Sequence, residues 1–340
     1  MSEHIFPYKW YLKDGYPEKN GLKVFGTFIC GGGSTMGYKL AGYEHLGGVE
    51  IDKDVAKVYK LNHSPKYLYN EDIRAFNQRD DLPLELYSLD ILDGSPPCST
   101  FSMAGSREKA WGKEKQFREG QAMQTLDDLV FVYCDTIIKL KPKVFILENV
   151  KGIIQGNAKV YSKNIVKKMT EAGYVVQAFC LNAASMGVPQ KRERVFFIGF
   201  KNKLKFPKLK LKFNEKSILF GEIKEIGLKL GINGQRSEMW DKCKQGYSFA
   251  TVSNGNNFSS IRLSDNQVCN TITANKCEGF FHSTEKRKIS DNECKLIGTY
   301  PMDYNFKELR PMYLIGMSVP PVMTAQIARQ IAMQWFGVQY

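Results

Sequence analysis

Short apolar runs recur through the first 200 residues of this chain, and the segments between them carry helical rather than extended spacing. Residues 23–30 read as a buried strand ending in glycines, 45–51 as a second, and 86–92 and 143–147 as two more, each leading into a polar turn. Helical patterns cover 55–62 and 125–140 between them. A further helix and strand follow at 161–172 and 175–181, and 194–200 is the last apolar strand. Strands alternating with helices predict an α/β fold with a mostly parallel, doubly wound sheet. Ligands of such sheets bind beyond the carboxyl ends of the strands, so the polar turns after the strands are where chemistry belongs.

The pattern changes after Phe200. Lys201, Lys203, Lys205, Lys208, Lys210, Lys212 and Lys216 form a basic run, and the following segment is irregular and rich in Gly, Asn and Ser. The expected organisation is a catalytic and cofactor-binding domain at 1–200 and a smaller irregular domain at 201–310. A C-terminal segment, 311–340, packs back on the first domain through the helical spacing of Ile327, Ile331 and Trp335. A chain of 340 residues has room for that core. Its formal net charge of +13 favours a polyanionic partner. No stretch is apolar for long enough to span a bilayer, and the start of the chain lacks the basic-then-apolar order of a signal peptide. The eight cysteines form no C-x-x-C pair and do not stand near His at zinc spacing. Free thiols in a reduced, cytoplasmic compartment, without a metal, are the expectation.

Four constellations carry chemistry. The cluster Cys30-Gly31-Gly32-Gly33 follows a strand and precedes a helix, where glycines permit a tight turn and close approach of a cofactor. An ordinary strand–helix turn would look the same. Glu50 and Asp52 at the end of the next strand add weight, because an acid there suits ribose hydroxyls. Asp72 suits an adenine amino group. The spacing fits NAD or S-adenosylmethionine and not a P-loop. Second, Asp93-Gly94-Ser95-Pro96-Pro97-Cys98-Ser99 follows a strand, and its prolines stiffen the turn. A lone Cys is commonly an inert core residue, but a thiol at a rigid strand end is a nucleophile candidate. Third, Glu148-Asn149-Val150 ends a buried strand, where a partly desolvated carboxyl can donate a proton. Fourth, in Gln190-Lys191-Arg192-Glu193-Arg194 the two alternate arginines point the same way on an extended chain, offering guanidinium groups to a phosphate or a carbonyl oxygen.

In this order the motifs resemble the C5-cytosine DNA methyltransferase family along nearly the whole chain. Phe28, Ile29, Cys30, Gly31, Gly32 and Gly33 look like the family's first cofactor motif. Glu50-Ile51 looks like its ribose-binding acid, and Asp72-Ile73 like its adenine-side motif. Pro96-Pro97-Cys98 is similar to the catalytic Pro-Cys, and Glu148-Asn149-Val150 to the family's Glu-Asn-Val. Residues 181–195 resemble its Gln-x-Arg-x-Arg block. Residues 287–301 and 316–321 look like the last two motifs. The resemblance implies a Rossmann-like S-adenosylmethionine-dependent methyltransferase fold, with Ser95, Pro97, Leu129 and Ser318 also lining the cofactor site. Residues 200–285 would hold the target recognition domain. Cys30 stands where the family has Gly, Ser99 where Gln is common and Met317 where it has Asn.

What the resemblance implies is a DNA (cytosine-5-)-methyltransferase with Cys98, Glu148, Arg192 and Arg194 as its catalytic set. Pro96, Gln190 and Asn149 stand on the cytosine side. The cofactor is S-adenosyl-L-methionine, the product S-adenosyl-L-homocysteine, and the partner double-stranded DNA. A monomer is expected, with a cognate restriction endonuclease acting separately. The target base must be flipped out, and the basic segment 101–120 looks like a lid over it. An RNA (tRNA) cytosine-5 methyltransferase with the same core is the alternative, but its Cys-Phe-Thr signature is not found here. A catalytically silent relative leaves Cys98, Glu148 and Arg194 without a purpose. A dinucleotide oxidoreductase leaves the Pro-Pro-Cys turn unexplained. Arg236, Lys244, Gln245, Asn254, Asn256 and Arg262 are candidate base readers, by the preference of Arg or Lys for guanine and Asn or Gln for adenine.

Overall fold

The computed structural model describes residues 4–97, 114–115, 124–125, 129–274 and 279–340. Cys98, Ser99 and most of the expected lid lie outside the described residues. Strand β1 (Lys23–Thr27) leads into helix α1 (Gly33–Leu40), and β2 (Glu44–Val49) into α2 (Lys53–His63). The short β3 (Tyr67–Tyr69) precedes α3 (Ile73–Gln78), and β4 (Ile91–Gly94) runs into the Pro-Pro turn. A two-residue antiparallel pair, β5 (Glu114–Lys115) and β6 (Gln124–Thr125), comes before α4 (Leu129–Leu140) and β7 (Val144–Val150). Helix α5 (Lys159–Glu171), β8 (Tyr174–Asn182) and β9 (Glu193–Lys201) complete the strand–helix half. Beyond it are α6 (Phe220–Ile223), α7 (Gln235–Lys242), the parallel pair β10 (Ile261–Arg262) and β11 (Phe280–Phe281), α8 (Asp291–Ile297), α9 (Pro311–Met317) and α10 (Pro321–Phe336).

Seven strands form one sheet in the order β3-β2-β1-β4-β7-β9-β8. It is parallel except for β9, which runs antiparallel to both neighbours. The strand order reverses between β1 and β4, so the turns after these two strands flank the crevice in which α/β sheets bind ligands. Two expected boundaries differ. Residues 86–92 are not all strand: Leu84–Tyr87 is a 3-10 turn started by Pro83, and Leu86 is buried from that turn. An apolar run can be buried from either geometry, and the proline already supplies a helical φ. Strand β7 instead outlasts its apolar run, so Glu148, Asn149 and Val150 are strand residues.

The chain divides into two compact units. One comprises Tyr16–Asn182, Glu193–Lys212 and Ala325–Tyr340, and it contains the sheet. On one face, Phe25, Leu92, Phe145, Leu147 and Phe197 pack with Tyr133 and Ile137 of α4. Each such burial contributes ~1.5–3 kcal/mol. The Tyr133 hydroxyl sits 2.9 Å from the Leu92 carbonyl and 2.8 Å from that of Ile146, so it satisfies its own polar end between two strands. The end of α10 belongs to this unit. Trp335 stacks on Phe206 and meets Phe200 edge-on, and the Tyr43 hydroxyl donates to the Ala328 carbonyl.

The other unit comprises Ala183–Arg192, Phe213–Thr324 and the N-terminal residues up to Gly15. The tail expected at 311–340 is thus divided at residue 324, and residues 183–192, between β8 and β9, belong with the smaller elements. Within this unit, Met239, Trp240, Cys243, Phe249 and Phe281 form a local core. The Arg287 guanidinium is 1% exposed and paired with the fully buried Glu293, whose carboxylate also caps α8 by accepting from Ser290 N. Among the described residues no helix is long and apolar enough to cross a membrane.

Candidate active site

The loop after β1 is held in an unusual backbone. Phe28 and Cys30 both have positive φ, 54° and 48°, as does Gly32 at 78°. Left-handed backbone costs a non-glycine residue on the order of 1 kcal/mol. The strain is offset by Glu50, whose Oε2 accepts from Cys30 N at 2.9 Å. At Gly32 a Cβ would lie 2.2 Å from Nε2 of His63. That histidine, from α2, lies 3.1 Å from the Gly31 carbonyl oxygen. Burial and the nearby Lys39 push its pKa down to about 3, so the ring is neutral. Because a carbonyl only accepts, the proton sits on Nε2.

Glu50 follows β2 and is buried. Its Oε1 accepts from Asp52 N at 2.8 Å, so both carboxylate oxygens are held by backbone N–H groups. Burial raises its pKa to about 7, against the opposing hydrogen bonds from Asp52 and Cys30. Asn70 fixes the same turn by donating to the carbonyls of Glu50 and Ile51. Ile51 itself is exposed. Asp72 caps α3 through Arg74 N at 2.7 Å. Ile73 and Leu129 are buried against each other, with Phe28 and Val132 packed on them. Three residues from separate motifs, 28, 73 and 129, are thereby brought into one apolar cluster. Paired acceptors on Glu50 beside a strained glycine loop and an apolar wall fit the hydroxyls and the purine of an adenosyl group.

Across the strand-order reversal lies a second set. After β4, Ser95 and Pro97 are half-buried and Pro96 is buried. Asn149 reaches the Pro96 carbonyl with Nδ2 at 3.5 Å, the outer limit of a hydrogen bond. Glu148 pairs with Phe196 in the β7–β9 ladder, so Arg194, two residues away on β9, shares its face. The Arg194 Nε lies 2.9 Å from Glu148 Oε1, and both side chains are nearly buried. Asp93 is paired with Ile146 across β4 and β7, which sets its side chain on the face of Glu148. Tyr38 of α1 donates to Asp93 Oδ1 at 3.0 Å. Burial, reinforced by the charge of Glu148 and opposed by hydrogen bonds from Tyr38 and Ser34, raises the Asp93 pKa to about 7.

The two arginines of the Gln-Lys-Arg-Glu-Arg block have different partners. Strand β9 begins at Glu193, so strand alternation does not reach Arg192. Arg192 is buried and donates from Nη1 to the Ile272 carbonyl and from Nη2 to that of Gly316. Gln190 is likewise committed to backbone, donating to Ile297 O and accepting from Ile272 N. Ser318 is buried at the end of α9, where it accepts from the Tyr300 hydroxyl at 2.6 Å and donates to Leu314 O. Arg262 lies 3.6 Å over the Trp240 ring and donates to the carbonyls of Ser283, Trp240 and Cys243. Its role is to tie the small core together.

Sequence reasoning missed His63, Asn70 and Tyr38, which hold the first-named residues in place. Nothing in their local sequence marks them. Asp93 was legible only as part of a turn, although an acid inside the apolar strand Ile91–Gly94 is itself a signal.

A family model described as C-5 cytosine-specific DNA methylase matches residues 22–333. The chain belongs to that family. With membership comes the enzyme class, cytosine-5 methylation of DNA. The chain is 29% identical to the Type II methyltransferase M.Bsp6I of Bacillus sp. (strain RFL6), over 91% of this chain and 98% of that protein. It is 34% identical to M.FnuDI of Fusobacterium nucleatum over 54% of this chain, an alignment that spans only 48% of that relative. Among solved structures, a putative DNA modification methyltransferase encoded within an E. coli prophage superposes with a TM-score of 0.68 at 18% identity. That alignment covers 92% of this chain and 99% of the other, and Spodoptera frugiperda DNMT2 superposes with a TM-score of 0.67 at 17% identity over the same shares. These likenesses show the fold.

Proposed function

We propose that this methylase modifies C5 of a cytosine flipped out of a specific duplex DNA site, with Cys98 as a covalent nucleophile. The observation that carries the reading is the Glu148–Arg194 pair at the strand ends, on the strand whose Asn149 reaches the Pro96 carbonyl. C5 of cytosine is a poor nucleophile. Attack of the Cys98 thiolate on C6 turns C5 into an enamine-like carbon, and sulfur suits that step because the thiolate is strongly nucleophilic. The charge that builds in the ring is met at N3 by Glu148 as an acid and at O2 by Arg194. The Pro96 carbonyl accepts from the exocyclic amine, which selects cytosine over thymine, while Asn149 holds that carbonyl. Glu50, the 28–33 loop and the cluster of Phe28, Ile73 and Leu129 bind S-adenosyl-L-methionine, with Asp72, Ser95 and Pro97 beside them. The cofactor supplies the methyl group and leaves as S-adenosyl-L-homocysteine. The C5 proton then departs and the C6–sulfur bond breaks, restoring the thiolate. Arg192 and Gln190 position backbone rather than substrate.

A buried base cannot react within the duplex, so flipping is part of the reading. The protein acts as a monomer in this account and protects host DNA against a separate cognate endonuclease. The test is transfer of labelled methyl groups to duplex DNA and, in parallel, to tRNA, with bisulfite sequencing of the DNA. Label confined to tRNA would replace this reading with RNA methylation.

A further inference from the structure

Of the candidate base readers in the smaller unit, Arg262 and Gln245 are already engaged. Arg262 is spent on three carbonyls and the Trp240 ring. Gln245 donates to the Ser283 carbonyl. The loop from Ser248 to Ser260 is different. Inside, it is tightly bonded: Ser248 caps Ala250 N and its hydroxyl also contacts the carbonyls of Asn257 and Phe258. Ser253 donates to Phe249 O and contacts Asn256 O, and Gly255 N donates to Ala250 O. Phe249, beneath, is fully buried in the local core. A loop satisfied in this way presents a fixed outer surface.

That surface runs from Asn254 to Ser259, six consecutive exposed residues. Backbone accounts for two of the asparagines. Asn254 and Asn257 have φ of 49° and 57°, a region that asparagine tolerates better than most residues. Asn257 also reaches the Met239 sulfur. Asn256 has no such backbone demand, and its side-chain amide makes no hydrogen bond among the described residues. Phe258 is 80% exposed, a position that packing within the unit does not explain. Lys242 and Lys244, at the end of α7 and just past it, are exposed, while the acidic Asp241 pairs with Lys286. An amide and an apolar ring two residues apart on one exposed loop suit one edge of duplex DNA. In the major groove an A·T pair offers N7 and N6 of adenine to an Asn amide, and the thymine methyl to an apolar side chain.

We propose that Asn256 and Phe258 form the base-reading pair of this methylase and that they select an A·T pair in its target site. The inference rests on the DNA-methylase reading above. The test is methylation of a random-sequence duplex library by the parent and by Asn256→Ala and Phe258→Ala, with the modified sites read by bisulfite sequencing. The parent is expected to require an A·T pair near the modified cytosine. Discrimination at that pair should fall roughly ten- to hundredfold in Asn256→Ala and Phe258→Ala, the worth of one good base contact. For a variant too slow to profile, selection of bound duplexes from the same library reports the same preference. A parent site made only of G·C pairs, or an unchanged profile in both alanine variants, overturns the inference. A parent that methylates no DNA overturns the enzyme reading as well.

Discussion

Replacing Asp93 by Asn should stabilise the folded chain at alkaline pH. Asp93 has an ordinary value of 3.8 when exposed and about 7 when folded, chiefly because burial disfavours its charge. Between those values the folded chain binds more protons than the unfolded one, so stability falls as pH rises. The stability is fully present below about pH 4 and is lost by about pH 7. A pKa raised from 3.8 to about 7 corresponds to about 4 kcal/mol at pH 8. Asn cannot ionise, keeps an oxygen for Tyr38 and offers its amino group to Ser34. At pH 5 the folded carboxyl is already protonated while the unfolded one is mostly ionised, so the gain shrinks to about 2 kcal/mol. For a chain of 340 residues, about 4 kcal/mol corresponds to a Tm increase on the order of 5 °C. Thermal and urea unfolding of parent and variant at pH 5 and pH 8 measure the difference. A variant less stable than the parent at both pH values, or a gain independent of pH, would refute the reasoning. A confirmed gain would identify Asp93 as an acid retained at the site at the expense of stability.

Cys98→Ser should abolish methyl transfer while DNA binding survives; full tritium incorporation from labelled cofactor would exclude Cys98 as nucleophile. Glu148→Gln should slow single-turnover transfer by about 10²–10⁴-fold, the usual worth of a positioned acid. A rate within a few-fold of the parent would remove that role. Gly32→Ala should weaken binding of S-adenosyl-L-homocysteine measured by calorimetry, because the new Cβ would meet His63 at 2.2 Å on a backbone that already needs positive φ. Unchanged affinity would show that the loop relaxes without cost.

Much of the sheet was legible because periodicity is written along the chain. The runs around Val24, His45, Phe145 and Phe197 became strands, and the amphipathic segment around Val58 became a helix. The apolar run from Leu86 was misread in part, since a proline-started turn buries Leu86 as well as a strand would. Glycines and acids at strand ends were visible as motifs, but the supports of those motifs were not. His63 stands 32 residues from the Gly31 carbonyl that it holds, and Asn70 is 20 residues from Glu50.

The class of fold, the order of the motifs and the chemistry that their residue types permit are written along the chain. Those follow from local spacing, turn chemistry and the resemblance of ordered motifs. How the members of a motif divide their work emerges only once the chain is folded. Strand β9 starts one residue after Arg192, so Arg194 meets Glu148 across a ladder while Arg192 is spent on two carbonyls. The same holds for Asn256 and Arg262, which look equally able to read a base until burial shows that one guanidinium is already bound. A side chain's partners depend on strand register and on which polar groups burial leaves in need of a bond, and neither is set by its neighbours in sequence.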